Sequence, residues 1–150
     1  MAPSGPEPLG QPSAIKQVRQ VVFTDILAAA TVFPKGYLKR QVAQGFGWSG
    51  GLLAARATDP LPPTPLYIVM TPTELRLLAV SGWRKPPYEL GRWNRLTYRA
   101  SIPERGAFLK LDLDLERLGR IQVFAGLRNL RREVRPVFEL VVQCASGPLA

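Results

Sequence analysis

Apolar and polar residues alternate strictly in one stretch of this chain. Leu109, Leu111, Leu113 and Leu115 are interleaved with Lys110, Asp112, Asp114 and Glu116. A period of two gives one apolar and one solvated face, so Phe108 to Leu115 is predicted to be a half-buried strand. A turn around Arg117 to Gly119 leads into Arg120 to Ala125, where Ile121 and Val123 share a face. Upstream, Leu66 to Thr71 and Leu75 to Val80 flank the turn Thr71-Pro72-Thr73-Glu74, in which proline suits a tight bend. Ser81-Gly82 and a basic loop, Trp83-Arg84-Lys85-Pro86-Pro87, precede two further extended segments, Tyr88 to Trp93 and Leu96 to Ile102. Glu104-Arg105-Gly106 turns the chain again. Consecutive strands joined by short turns predict an antiparallel meander.

Two stretches follow a helical period instead. Leu127, Leu130, Val134, Val137, Phe138 and Val141 fall within one arc at about 100° per residue, and Arg128, Arg131, Arg132 and Arg135 fill the adjoining arc. This predicts a C-terminal amphipathic helix with a basic flank, in which Pro136 removes one backbone hydrogen bond. Near the start, Ile15, Val18, Val22, Ile26, Ala29 and Phe33 recur every three or four residues. That spacing predicts a helix from about 13 to 33, with Ser13 as its candidate cap, ended by Pro34 and Gly36.

The expected organisation is a disordered tail over 1–12, an N-terminal amphipathic helix over 13–34, and a single domain over 35–145. The tail holds four prolines and two glycines. Residues 37–57 read two ways. Tyr37 to Val42 and Leu52 to Ala57 have strand character, but the glycines from Gly45 to Gly51 suit no regular element. The prolines of Asp59 to Pro65 preclude a regular ladder.

Composition narrows the chemistry. A chain of 150 residues suffices for one domain with its own core. The formal charge is +9, from 20 basic and 11 acidic residues. Such a balance suits an anionic partner and says nothing about fold. Much of it also follows from an arginine-rich composition, with alanine, glycine and proline abundant as well. Histidine is absent, which removes the commonest general base and metal ligand. The single cysteine, Cys144, has no partner for an internal disulfide and reads as a small buried hydrophobe. Residues 1–14 have no basic start and no apolar run, and the longest uncharged stretch, Gln41 to Ala55, is too short to span a bilayer. The expectation is a cytoplasmic protein, peripheral at most.

With these elements placed, residues 66–143 resemble the bacterial PH-like domain families. The resemblance rests on the hairpin Tyr67-Ile68-Val69-Met70-Thr71-Pro72-Thr73-Glu74-Leu75-Arg76-Leu77-Leu78 and on Gly82, Pro86 and Glu89-Leu90-Gly91-Arg92-Trp93-Asn94-Arg95. It continues through the alternating Leu109–Leu115 strand, Gly119-Arg120-Ile121-Gln122-Val123-Phe124 and the final helix. It implies a mainly β fold with flanking helices: a PH-like antiparallel β-barrel closed by the C-terminal helix. It also implies binding or scaffolding and gives no catalytic residues; no metal or cofactor is expected.

Three sets of residues are candidates for contact. Arg84, Lys85, Arg92 and Arg95, with Arg99, are interleaved with Trp83, Tyr88, Trp93 and Tyr98; cations beside aromatics suit phosphate plus a stacking contact. The alternative is that the aromatics pack in the core and the charges are solvated. Lys39 and Arg40 precede Phe46 and Trp48 on the glycine-rich stretch, an arrangement suited to an anionic membrane surface. The arginine flank of the last helix is the third, and reads more simply as the exposed side of a closing helix. Asp112, Asp114 and Glu116 read as the solvent face of their strand. Gly47-Trp48-Ser49-Gly50-Gly51 fits the Gly-x-Ser-x-Gly spacing, but without histidine no triad can be completed.

The expectation is therefore a non-enzymatic module that recognises a protein partner or an anionic membrane surface, with nucleic acid as the alternative. The apolar stripe of the N-terminal helix is expected either to pack on the barrel or to pair with a second copy of the chain.

Overall fold

The computed structural model describes residues 7–34, 61–62, 64–82, 85–103, 109–125 and 131–149. Its strands are β1 (Leu9–Gly10), β2 (Ala28–Pro34), β3 (Leu66–Met70), β4 (Glu74–Ala79), β5 (Tyr88–Asn94), β6 (Tyr98–Ser101), β7 (Lys110–Leu115) and β8 (Gly119–Ala125). Helix α1 is Pro12–Val18 and helix α2 is Arg131–Cys144. The strands form one sheet in the order β5-β4-β3-β2-β8-β7-β6. All of these neighbours are antiparallel, and β1 adds a short parallel pairing to β2. The strands expected from Leu66 onward are present, each within a few residues of its expected bounds.

The N-terminal helix is the main departure. It stops at Val18, and Ala28–Pro34, expected to be its second half, is β2. Ala28, Ala29 and Ala30 satisfy a helical stripe and an alternating one equally well, because a methyl group fits either face. The choice is made by pairing. Ala28 to Val32 lies against β3, and Val32 to Pro34 against β8, so β2 joins the two halves of the sheet. An isolated helix would forgo both ladders, and Val21-Val22-Phe23-Thr24 is poor helix sequence in any case.

Residues 7–12, expected within a disordered tail, belong to the fold. Leu9 and Gly10 pair with Ala28 and Ala29. Gly10 has φ +112°, and a Cβ there would collide with the Ala29 carbonyl and the Val137 side chain. Gln11 occupies the N-cap position of α1 in place of Ser13, and its buried Oε1 accepts a hydrogen bond from the Thr31 N–H at 2.7 Å. The chain also continues past residue 145. Ser146 donates to the Tyr98 carbonyl through both N–H and Oγ, the Ala100 N–H donates to the Gly147 carbonyl, and the Leu149 N–H donates to Ser101 Oγ. This tail covers the outer edge of β6, which would otherwise be an unpaired template.

The expected closed barrel is not what the ladders describe. No ladder joins β5 to β6 among the described residues. Those two strands end the path, yet only the turn Arg95–Thr97 separates them in sequence. That corner is stitched to the β7–β8 turn: Trp93 Nε1 donates to the Glu116 carbonyl at 2.8 Å, and the Glu116 N–H donates to the Thr97 carbonyl at 3.1 Å. The Trp93 indole lies over Gly91, where a Cβ would come within 2.6 Å of the ring.

One apolar cluster fills the concave side. It gathers Ala28, Ala30 and Val32 of β2, Leu66, Ile68 and Met70 of β3, Leu75 and Leu77 of β4, and Leu111, Leu113 and Leu115 of β7. Helix α2 closes it with Val134, Val137, Phe138 and Val141, all without exposed surface, while Arg132 and Arg135 face solvent. The helix runs through Pro136, which costs one bond near its first turns. Tyr98 is buried among these residues and donates its hydroxyl to the Val141 carbonyl at 2.9 Å.

A smaller cluster lies on the opposite side of β2–β3–β4. Ala14, Ile15, Val18 and Val22 pack against Ala29, Val69 and Leu78. Ile15, Val18 and Val22 of the expected stripe therefore pack on the sheet. Burial on both faces explains why β3 and β4 read as almost continuous apolar runs.

Candidate functional site

The short helix α1 covers only part of that outer face, and a cleft of about 510 Å³ opens beside it. Ser13, Gln17 and Gln20 follow one another at spacings of four and three and form one wall, alongside the buried stripe. Tyr67 lies on the floor. Its neighbours Leu66 and Ile68 join the interior cluster, so strand parity turns Tyr67 outward, where it packs against the outer cluster. Val80, Gly82, Lys85 and Pro87, from the connection between β4 and β5, complete the described lining.

The wall opposite α1 is held in place. The Val80 N–H donates to the Pro65 carbonyl at 3.1 Å, and Thr64 Oγ1 donates to the Val80 carbonyl at 3.3 Å. A 3.4 Å hydrogen bond from the Lys85 N–H to the Gly82 carbonyl closes the turn. Across the cleft, Gln20 Nε2 donates to Gln17 Oε1 at 2.9 Å. Burial pushes the Tyr67 phenol above its ordinary range, so at neutral pH it is a neutral hydrogen-bond donor. The described lining thus carries one cation, two amides, two hydroxyls and no carboxylate.

The candidate cations do not gather here. Lys85 precedes β5, whereas Arg92 and Arg95 lie at its far end, and a strand of seven residues spans roughly 20 Å. Arg92 is committed to carboxylates: its Nε donates to both oxygens of Glu89 at 2.8 and 2.9 Å, and Glu74 lies 3.8 Å away. That hydrogen bond with Glu89 raises the Arg92 guanidinium further above its usual range. Arg76, only 6% exposed, pairs with Glu74 at 2.8 Å and lies 3.9 Å from Glu89. Two arginines and two glutamates cancel in this network. Arg95 donates to the Pro72 carbonyl at 3.4 Å, at the opposite end of the sheet from Lys85. Lys39, Arg40, Phe46, Trp48 and Arg84 lie outside the described residues.

The aromatics expected among the cations divide. Trp93 and Tyr98 are core residues, Tyr88 is half-exposed, and Trp83 lies outside the described residues. Asp112 accepts from Gln122 Nε2 at 2.6 Å, and Asp114 stands opposite Arg120 in the ladder. No group of three or more histidine, cysteine, aspartate or glutamate residues is placed to hold a metal ion among the described residues. No helix among them is long and apolar enough to cross a membrane.

Sequence reasoning missed most of the cleft. Lys85 was a candidate, but Ser13, Gln17, Gln20 and Tyr67 were not. Two signals were present: an uncharged polar flank on a short amphipathic helix, and a tyrosine at an outward position of an otherwise aliphatic strand. Comparison with protein-family models, curated proteins and solved structures returns no match.

Proposed function

We propose that this chain is a non-enzymatic interaction module of PH-like type that recognises a protein partner. A four-strand antiparallel run, β2 to β5, is followed by a three-strand run, β6 to β8, and a C-terminal helix packs into the concave side. This strand order supports the PH-like reading, and the Arg95–Thr97 turn joins β5 to β6, the two ends of the strand path, in sequence. The interior is filled by α2, Tyr98 and Met70, so recognition falls to the outside surface.

The observation that carries the reading is the cleft beside α1. Its volume lies within the range of ligand sites, but its lining mixes donors and acceptors rather than being mostly apolar. That composition suits a segment of polypeptide, which offers both N–H and C=O groups. An anionic bilayer needs several cations acting together, each contributing about 1 kcal/mol near the surface. Among the described candidates only Lys85 faces the cleft, while Arg92 is held by two glutamates.

Two binding measurements test this. Peptides selected from a random display library on the full chain are expected to perturb the amide resonances of Gln17, Tyr67 and Lys85. Sedimentation with acidic and neutral phospholipid vesicles is expected to show equal background levels. Retention on acidic vesicles alone, weakening with salt, would replace the protein reading with the membrane one. Binding to DNA that falls steeply as salt rises would replace it with the nucleic-acid one.

A further inference from the structure

Resting on the protein-partner reading, we infer that the cleft receives an acidic peptide segment. A carboxylate of the partner sits between the Lys85 ammonium and the Tyr67 hydroxyl, and an adjoining peptide group lies against Gln17 and Gln20.

Four observations converge on this. The described lining holds one cation and no carboxylate, so a negative group entering it meets no like charge. Lys85 has no ion-pair partner among the described residues, in contrast to Arg76 and Arg92, whose charges are balanced by Glu74 and Glu89. Its backbone N–H is tied to the Gly82 carbonyl at 3.4 Å, so the side chain springs from a closed turn on the cleft wall. Tyr67 is a neutral phenol on the floor, able to donate to the same carboxylate without contributing a competing charge.

The amide pair suits a peptide group beside that carboxylate. Because Gln20 Nε2 donates to Gln17 Oε1, the Gln17 amino group and Gln20 Oε1 are the ends left to face a ligand. They form one donor and one acceptor, the complement of a peptide C=O and N–H. Val80 and Pro87 supply apolar walls for the methylene groups of an aspartate or glutamate side chain.

The test uses the full chain and the peptides selected on it. The expected result is enrichment of aspartate or glutamate at one position of those that perturb the cleft resonances. Changing that acid to its amide should weaken binding roughly 10- to 100-fold, the scale of one charge-assisted hydrogen bond. Lys85→Gln should cost the same factor. Combined, the two changes should cost no more than either alone, because they remove one shared interaction. Lys85→Glu should restore binding to a peptide carrying lysine at the acidic position. Lys85 is exposed, so these variants are expected to fold, and unchanged thermal unfolding checks that. Peptides that occupy the cleft without acidic enrichment, or losses that simply multiply, would overturn this inference while leaving the protein-partner reading in place. No peptide binding, together with retention on vesicles containing phosphatidylserine or saturable binding of inorganic phosphate, would overturn both.

Discussion

The two faces of β2–β3–β4 are both apolar, yet they are closed in different ways. On the concave face a fourteen-residue helix and the rest of the curved sheet shut out water, and side chains as large as Phe138 and Tyr98 are buried. On the outer face a seven-residue helix covers Ala29, Val69 and Leu78 and stops, leaving polar groups beside a cleft. The first face stabilises the fold. The second is where the same sheet presents directional chemistry, because incomplete cover leaves hydrogen-bonding groups accessible on a rigid floor.

This contrast implies a gradient of mutational cost, steepest inside. Phe138→Ala removes a ring buried among α2 and the sheet and is expected to cost about 3–5 kcal/mol, enough to unfold a marginal domain. Ile15→Ala, under the smaller cover, is expected to fall near the lower end for such truncations, about 2 kcal/mol, because water can enter the space beside α1. Urea unfolding of both variants checks the order. Equal losses would mean that the outer cluster is as tightly closed as the inner one, and the comparison would fail.

Next in size is Gly10→Ala. Gly10 joins β2 to α2 through β1, with positive φ and no room for a Cβ. Overpacking and backbone strain together are expected to cost about 3 kcal/mol. Loss of hydrogen-exchange protection at Leu9 and Gln11, whose N–H groups bond to Leu27 and Ala29, would show that β1 detaches first. A stable variant with intact protection would show that β1 is dispensable.

How much of this was legible depends on the distance over which each feature is encoded. β7 and α2 carry their pattern within one element, so alternation and helical periodicity revealed them directly. The N-terminal helix was over-extended because Ala28-Ala29-Ala30 is consistent with either period, and its partners β3 and β8 lie 34 or more residues away in sequence. The Arg92 pairing was hidden for a local reason. Residues three apart on a regular strand face opposite ways. In β5 the ladder runs from Leu77↔Gly91 to Leu78↔Glu89, so Leu90 is an extra residue, and this bulge lets Glu89 and Arg92 meet. The cleft is assembled from α1, β3 and the β4–β5 connection, and no single stretch of sequence carries it.

Tyr98 tests the inner face through pH. Burial raises its phenol above the ordinary value, and the larger cause is desolvation. Above about pH 10 the unfolded chain therefore releases a proton that the native state keeps. The unfolded state then binds fewer protons, so stability falls as pH rises. Below the unfolded value this contribution is fully present, so Tyr98 should give denaturant midpoints no pH dependence between neutrality and about pH 9. Tyr98→Phe is expected to cost about 1 kcal/mol at neutral pH, through the hydrogen bond lost from the Val141 carbonyl. In return it should flatten the alkaline decline. Tyr67 shifts in the same direction and adds to what the variant leaves.

The smallest expected effect lies at the cleft, and it separates the two faces most cleanly. Lys85 is exposed and bridges to no carboxylate among the described residues, and the Tyr67 hydroxyl is not enclosed by the core. Lys85→Gln and Tyr67→Phe are therefore expected to shift stability by no more than about 0.5 kcal/mol. Inside the fold the comparable removal of one hydroxyl, at Tyr98, leaves a buried carbonyl without its donor; at Tyr67 water replaces whatever is lost. Chemical denaturation of the three variants in one buffer is the check. If Tyr67→Phe cost as much as Tyr98→Phe, the Tyr67 hydroxyl would be holding the structure together, and the outer face would be a second core rather than a binding surface.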